Sequence, residues 1–290
     1  MSSNSLHTAH QRSFEKNRFV YPVLSRRSAG MSLGVNLNPD KVCNFDCIYC
    51  QVDRTSTSET RFVEMDRLLD ELDSMLDLIL SGHIYETPAF QSVPRHLRRL
   101  NDIAFSGDGE PTTFRNFDEI VLKCAQMKQQ HTAGTDPVKL VLITNASMFH
   151  RKHIQLGLDV MDQHQGEIWA KLDAGTADYY DLIERTSISF QQVLDNILLA
   201  ARKRPLVIQS LFMKVHGNAP GHDEIEAYCR QLNHITEQGG AISRVQIYTI
   251  ARRPAESFVT PLADESVDGI VNQVIRETGL MTEGYYGYEI

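Results

Sequence analysis

The chain is poor in cysteine, with five among 290 residues, and it has a single tryptophan. Nowhere do about eighteen apolar residues run together, which excludes a membrane-spanning helix. The opening MSSNSLHTAHQRSFEKNRFVYPVL lacks the continuous apolar core of a secretory signal, so a cytoplasmic protein is expected. Five cysteines in a reducing compartment do not make a disulfide framework. An excess of cations is also missing: 29 Lys and Arg face 37 Asp and Glu, for a formal net charge of -8. That balance gives no electrostatic footprint for nucleic acid, and the local basic spots RHLRRL (95–100) and ARRP (251–254) are the pattern of solvated faces. Internal repeats and a linker that would split the chain are absent too. With 42% hydrophobic and 23% charged residues, the composition is that of a globular protein with a real core. The organisation expected is an irregular N-terminal extension over 1–30 followed by one core domain over 31–290.

What the sequence does contain is a regular alternation. Short runs rich in Val, Ile, Leu and aromatics at 32–38, 102–107, 139–145, 167–174, 206–212 and 244–250 predict six strands. Amphipathic stripes at 64–80, 117–130, 190–203, 223–236 and 264–278 predict helices between them. Strand followed by helix, with nearly unbroken apolar strands, implies an α/β fold with a parallel sheet covered on both faces. Six such units suggest a partial (β/α)6 barrel with outer helices, and a doubly wound open sheet is the structural rival. In either, ligands bind where the loops leave the carboxyl ends of the strands. The segment 82–99 reads as irregular, and the SAG and NAPG pieces as turns.

Three of the five cysteines crowd into CNFDCIYCQ (43–51), at spacings of four and three residues, directly after the first predicted strand. Any pair leaves one thiol over, which suits a chelate better than a crosslink. Soft thiolates select zinc or iron–sulfur clusters. Structural zinc would need a fourth ligand, and the remaining Cys124 and Cys229 sit singly in amphipathic helices, as buried thiols do. An iron–sulfur cube held by three thiolates leaves one iron open to a further ligand.

The stretch CNFDCIYC matches the C-x3-C-x2-C motif of the radical S-adenosylmethionine superfamily, with an aromatic residue before the third cysteine, and the chain resembles that family. The resemblance implies a 4Fe-4S cluster on Cys43, Cys47 and Cys50, and S-adenosylmethionine at the open iron with Tyr49 near its adenine. It also implies reductive cleavage to a 5'-deoxyadenosyl radical that abstracts hydrogen from a substrate.

After the second predicted strand comes FSGDGEPT (105–112), whose glycines permit close backbone approach and whose Glu110 can pair with an ammonium. It is similar to the superfamily's glycine-glycine-glutamate element, which implies that Ser106, Gly107, Asp108, Gly109 and Glu110 hold the methionine amino group. The third and fourth strands end in ITN and KLDAGT, directing Thr144, Asn145, Lys171 and Asp173 at the same mouth. These residues either cap helices and form a salt bridge or contact the ribose, carboxylate or substrate. Gln209 and Ser210 lie inside an apolar strand and need hydrogen-bond partners. Tyr248 and Thr249 end the sixth strand, and Arg252 or Arg253 could meet an anionic substrate group. The eleven histidines are scattered, with His216 and His222 read as loop or capping residues.

Across 32–256 the motif set looks like a group related to the wyosine-base synthases that modify transfer RNA, which makes RNA one substrate to consider. Those synthases carry further cysteines before the radical motif, for a second cluster used with pyruvate, and 1–42 here contain none. No cysteine follows Cys229, unlike the cysteine-rich extension of peptide-modifying relatives. The core fills the chain without a fused reducing domain, so a separate flavodoxin or ferredoxin is the implied electron donor. The competing classes are an iron–sulfur electron-transfer or binding protein without radical chemistry, and structural zinc.

Overall fold

A computed structural model of the chain describes residues 14–287 except 26, 55, 57, 59, 135 and 136. The first thirteen residues of the expected N-terminal extension, and three positions of the loop 51–61 that follows the cysteines, lie outside the described residues. The chain divides into two compact units. One comprises Met1–Cys43, Thr57–Ile143 and Arg151–Glu167, the other Asn44–Ser56, Thr144–His150 and Ile168–Ile290.

The first unit is built on β1 (Val20–Ser25), β2 (Gly30–Val35), β3 (Leu100–Phe105) and β4 (Lys139–Thr144), with helices α1 (Met65–Leu80), α2 (Phe117–Thr132) and α3 (Lys152–Gln163). Strands β2, β3 and β4 pair in parallel, and β1 adds antiparallel to β2. Every residue of β2 is buried, as a strand covered on both faces must be. Gly34 is required there because a Cβ would lie 2.3 Å from the Tyr21 ring on β1. Helix α1 buries Leu68, Leu72, Met75, Leu76 and Ile79 along one stripe, and places Glu71 on the same stripe. That carboxylate accepts from the backbone N–H groups of Arg18 (3.0 Å), Phe19 (2.8 Å) and Val20 (3.1 Å), and from Arg67 Nε (3.0 Å). Glu71 thereby fixes the entry of the chain into β1.

The second unit contains β5 (Gly166–Lys171), α4 (Ala177–Glu184), α5 (Phe190–Ala201), β6 (Leu206–Leu211), β7 (Met213–Val215), α6 (His222–Glu237), β8 (Ile242–Tyr248), β9 (Val259–Pro261), α7 (Asp264–Thr278) and β10 (Thr282–Tyr285). Strands β5, β6, β8 and β10 run parallel in that order, while β7 and β9 form a separate antiparallel pair. The two faces of this sheet differ in chemistry. On one, Ile208, Val245 and Ile247 are buried and Ser210 reaches the Tyr228 hydroxyl of α6 at 2.6 Å. On the other, the register lines up Lys171, Gln209, Gln246 and Glu283 in one row across four strands.

All six predicted strands are present as β2, β3, β4, β5, β6 and β8, and the five predicted helices as α1, α2, α5, α6 and α7. Several elements are additions. Strand β1 lies within the stretch 1–30 that reads as irregular; its Pro22 argues against a central strand and is tolerated at the edge position β1 occupies. Helix α3 carries Gly157, which reads as a helix weakener, yet a Cβ there would lie 2.6 Å from Phe117, so the glycine allows α3 to approach α2. Strands β7 and β9 are three residues long, and β10 reads TEGY with no buried position.

Replacing Glu71 with Ala leaves three buried or half-buried N–H groups without their acceptor, and is expected to cost about 2–4 kcal/mol in chemical denaturation. A second expectation concerns Asp102, which is buried and accepts from the Ser32 hydroxyl. Burial pushes its carboxyl up to about 6. The folded state then binds a proton more tightly than the unfolded state does, so this group's contribution to stability falls as pH rises from about 4 through 6. Asp102→Asn should therefore gain stability relative to wild type over that interval, and parallel stability–pH curves for the two proteins would refute it.

Candidate active site

In the first unit the expected site residues stand where β2 and β3 end. The Asn36 side chain accepts from the N–H groups of Asn38 and Asp108 (both 3.1 Å) and donates to Asp108 Oδ2 at 2.7 Å. The Tyr21 hydroxyl donates to the Ser106 carbonyl at 3.1 Å. A Cβ on Gly107 would lie 2.2 Å from Asn36 Oδ1, and one on Gly109 would lie 2.3 Å from the Val42 carbonyl. Both glycines are thus demanded by contacts inside the protein, with the chain that leads into Cys43. Glu110 is buried, and its Oε1 accepts from the Thr112 N–H at 3.0 Å and hydroxyl at 2.5 Å, capping the short 3-10 turn Pro111–Thr113.

In the second unit the cysteine loop has no regular secondary structure and takes its partners from elsewhere. The N–H groups of Asp46 and Ile48 donate to the carbonyls of Glu184 (3.1 Å) and Ile183 (2.9 Å) at the C-terminus of α4. The Thr186 hydroxyl donates to the Asn44 carbonyl at 2.9 Å, and the Ala255 N–H to that of Cys50 at 2.8 Å. The Asn44 side chain donates to Ser147 Oγ (2.8 Å) and accepts from Asn145 Nδ2 (2.9 Å). Thr144 Oγ1 accepts from the Ala146 N–H at 3.1 Å, where φ is 58°. Thr144 and Asn145 therefore shape the turn after β4 and tie it to the cysteine loop.

None of the five cysteines is disulfide-bonded. Cys43, Cys47 and Cys50 are half-buried, whereas Cys124 and Cys229 are buried and burial pushes their thiols up to about 12. Among the described residues no three His, Cys, Asp or Glu side chains are drawn together as a metal site. The donor set nonetheless suits iron and sulfide: three soft thiols within eight residues.

Lys171, Asp173 and Tyr49 do come together. The Tyr49 hydroxyl lies 2.6 Å from Asp173 Oδ2 and 2.8 Å from Glu184 Oε1, and Cys47 Sγ lies 2.7 Å from Glu184 Oε2. Lys171 Nζ meets Asp173 Oδ2 at 3.0 Å, donates to the Tyr248 hydroxyl at 2.7 Å, and stands 5.1 and 5.2 Å from the ring centres of Tyr49 and Tyr248. Asp173 also accepts from the Leu211 N–H at 2.6 Å. Burial lowers the Lys171 ammonium, but Asp173 and the surrounding groups outweigh it and hold it above its usual value. Burial, then Asp173, raises the Glu184 carboxyl to about 8, and burial holds the Cys47 thiol and the Tyr49 phenol well above their ordinary ranges.

Beside Lys171, Gln209 Nε2 donates to Gln246 Oε1 (2.8 Å), Gln246 Nε2 to the Tyr285 hydroxyl (3.5 Å), and that hydroxyl to Glu283 Oε2 (2.7 Å). A carboxylate at the far end can only accept, so every donor points toward it and Gln209 presents its carbonyl oxygen at the near end. That oxygen is buried and has no hydrogen-bond partner among the described residues.

Ser210 donates to the Leu172 carbonyl (2.6 Å) and Thr249 accepts from the Leu262 N–H (2.8 Å). Arg252 and Arg253 stand half-buried and exposed in the loop after β8. His216 stacks on Phe258 at 4.3 Å, and His222 opens α6. Two residues escaped the sequence reading: Glu184, and Glu224, whose carboxylate accepts from the Gly175 N–H and the Thr176 hydroxyl at 2.5 Å each. Each is one of several carboxylates on its helix, and no local pattern distinguishes it from the solvated ones.

The model of the Radical SAM superfamily matches residues 37–218. The chain is 25% identical over 258 residues to a protein named GTPase Obg from Brachyspira hyodysenteriae, a match covering 87% of this chain and 32% of that protein. It is 27% identical over 251 residues to a UPF0026 protein of Helicobacter pylori, covering 84% and 69%. A UPF0026 protein of Methanocaldococcus jannaschii is 25% identical over 284 residues, covering 91% and 74%. The chain thus spans about a third of the first of these relatives. Among solved structures, SuiB of Streptococcus suis bound to S-adenosylmethionine superposes with a TM-score of 0.58 at 11% identity, covering 91% of this chain and 52% of SuiB. A spore photoproduct lyase gives 0.54 at 12%, covering 95% and 80%. TYW1 holding a lysine–pyruvate adduct gives 0.52 at 14%, covering 86% and 74%. At these identities the likeness is one of fold: an α/β architecture with a mostly parallel sheet and flanking helices, consistent with the partial barrel. With the family model matched across the cysteine motif and the polar strand ends, the chain belongs to the radical SAM superfamily of enzymes.

Proposed function

We propose that Cys43, Cys47 and Cys50 ligate a 4Fe-4S cluster and that the enzyme abstracts hydrogen from a substrate still to be identified. The observation that carries this reading is the partition of the thiols: the three in the C-x3-C-x2-C motif are half-buried, and the other two are sealed in the core. With the cluster and S-adenosylmethionine bound, the chemistry supplied is reductive cleavage of the sulfonium to a 5'-deoxyadenosyl radical. Tyr49 would lie against the adenine, its hydroxyl held by Asp173 and Glu184. Ser106, Gly107, Asp108, Gly109 and Glu110 would receive the methionine amino group, Glu110 supplying the carboxylate. Thr144 and Asn145 would act from the turn they build, and Lys171 and Asp173 from the charged cluster they share with Tyr248.

The polar row of β5, β6, β8 and β10 supports a substrate chamber on that face of the sheet, since a face meant only for packing would be apolar. The residues of this chain do not favour the pyruvate reaction of the wyosine-base synthases. Residues 1–42 hold no cysteine, and Lys171 is kept as an ammonium by Asp173 and Tyr248 rather than offered as a free amine. RNA is a substrate class to test rather than one the charge balance favours. Superfamily members draw their electron from outside, and a flavodoxin or ferredoxin in the cytoplasm is the donor proposed. No helix among the described residues is long and apolar enough to cross a membrane.

The test is anaerobic reconstitution with iron and sulfide, reduction, addition of S-adenosylmethionine, and quantification of 5'-deoxyadenosine by mass spectrometry. Wild type should form it, and Cys47→Ala should lose both the product and stably bound iron; normal iron in the variant would remove Cys47 from the ligand set. Glu110→Gln keeps an acceptor for Thr112 while removing the charge. It should weaken S-adenosylmethionine binding roughly tenfold or more, the worth of one charge-assisted hydrogen bond, with an unchanged cluster spectrum. Equal affinity would exclude Glu110 from the cofactor site.

A further inference from the structure

The C-terminus of an α-helix leaves its last carbonyls without intrahelical partners, and many helices satisfy them with a glycine-based cap. Helix α4 does otherwise. Its last two carbonyls, on Ile183 and Glu184, accept from Ile48 and Asp46 of the cysteine loop. The next residue, Arg185, is left-handed at φ 45° without being glycine, a conformation that costs about 1–2 kcal/mol. One residue further, the Thr186 hydroxyl reaches the Asn44 carbonyl. On the side-chain level the two oxygens of Glu184 divide between Cys47 Sγ and the Tyr49 hydroxyl. One turn of chain thus supplies five contacts to five of the six loop residues 44–49.

We infer that Glu184 is a positioning residue: with the turn Ile183–Thr186 it holds the middle cysteine and Tyr49 in register, so that the loop is shaped for its cofactors by α4. The inference rests on the ligand role proposed for Cys47, because only then is the placement of that sulfur consequential. The geometry favours positioning over a packing role. A carboxyl buried merely to fill space would cost free energy that an apolar residue would not, whereas here both of its oxygens meet polar atoms of the loop. Gln is the conservative replacement, since its carbonyl oxygen can accept from Tyr49 while its amide can donate to the Cys47 sulfur.

The experiment compares wild type, Glu184→Ala and Glu184→Gln in two forms. In the protein before reconstitution, hydrogen exchange of the amides of Asp46 and Ile48 should be faster in Glu184→Ala and near wild type in Glu184→Gln. After reconstitution, Glu184→Ala should bind less iron, and the electron paramagnetic resonance spectrum of the iron it retains should no longer shift with S-adenosylmethionine; Glu184→Gln should restore both. Wild-type exchange, iron and spectral response in Glu184→Ala would overturn the inference. So would a folded Glu184→Gln, judged by its thermal transition, that fails as Glu184→Ala does. Should Glu184→Ala not fold, Tyr49→Phe tests the same tether, and an unaltered spectral response to S-adenosylmethionine in that variant would count against it. If wild type yields no 5'-deoxyadenosine, the proposed reaction fails, while the exchange comparison before reconstitution still decides the role of Glu184.

Discussion

A loop without regular secondary structure still carries one donor and one acceptor per residue, and each must be matched once it leaves water. The cysteine loop meets that constraint with partners from three places: the end of α4, the turn after β4 and the loop after β8. Much of the second unit can be understood as what is needed to present those partners. Ala146 takes a left-handed conformation so that Ser147 can meet Asn44, and Arg185 does the same so that Thr186 can. The strain is small at each place and is sustained by the hydrogen bonds it allows.

The sheet of the second unit separates two environments. One face packs on helices through Ile208, Val245 and Ile247; the other carries an ammonium, amides, phenols and a carboxylate across four parallel strands. Such a row is stable because its members satisfy one another in sequence, and Gln209 Oε1, a buried oxygen with no partner among the described residues, stands at the end nearest Lys171. The charge cluster follows the same logic. Lys171 alone would be costly to bury, and Asp173, Tyr248 and the two aromatic rings make the ammonium the favoured state.

Periodicity made the strand and helix skeleton legible, since burial on both faces leaves an apolar run and burial on one side of a helix leaves a stripe. It fails where those rules relax. Strand β1 carries Pro22 because it is an edge, β10 has no buried position, and α3 tolerates Gly157 because Phe117 needs the space. The glycines of SGDGEPT are legible as positions of close backbone approach, but not the reason: Asn36 and the Val42 carbonyl occupy the space.

The sequence by itself determined the chemistry available. Three clustered thiols at a chelating spacing, with two more isolated in helices, are a property of local order that any fold would inherit. Only the tertiary structure decided which groups stand around them. Glu184 lies 137 positions from Cys47, and Asp173 lies 124 from Tyr49. At such separations no spacing rule links two residues, and a carboxylate acquires its role only when packing brings it to its partner.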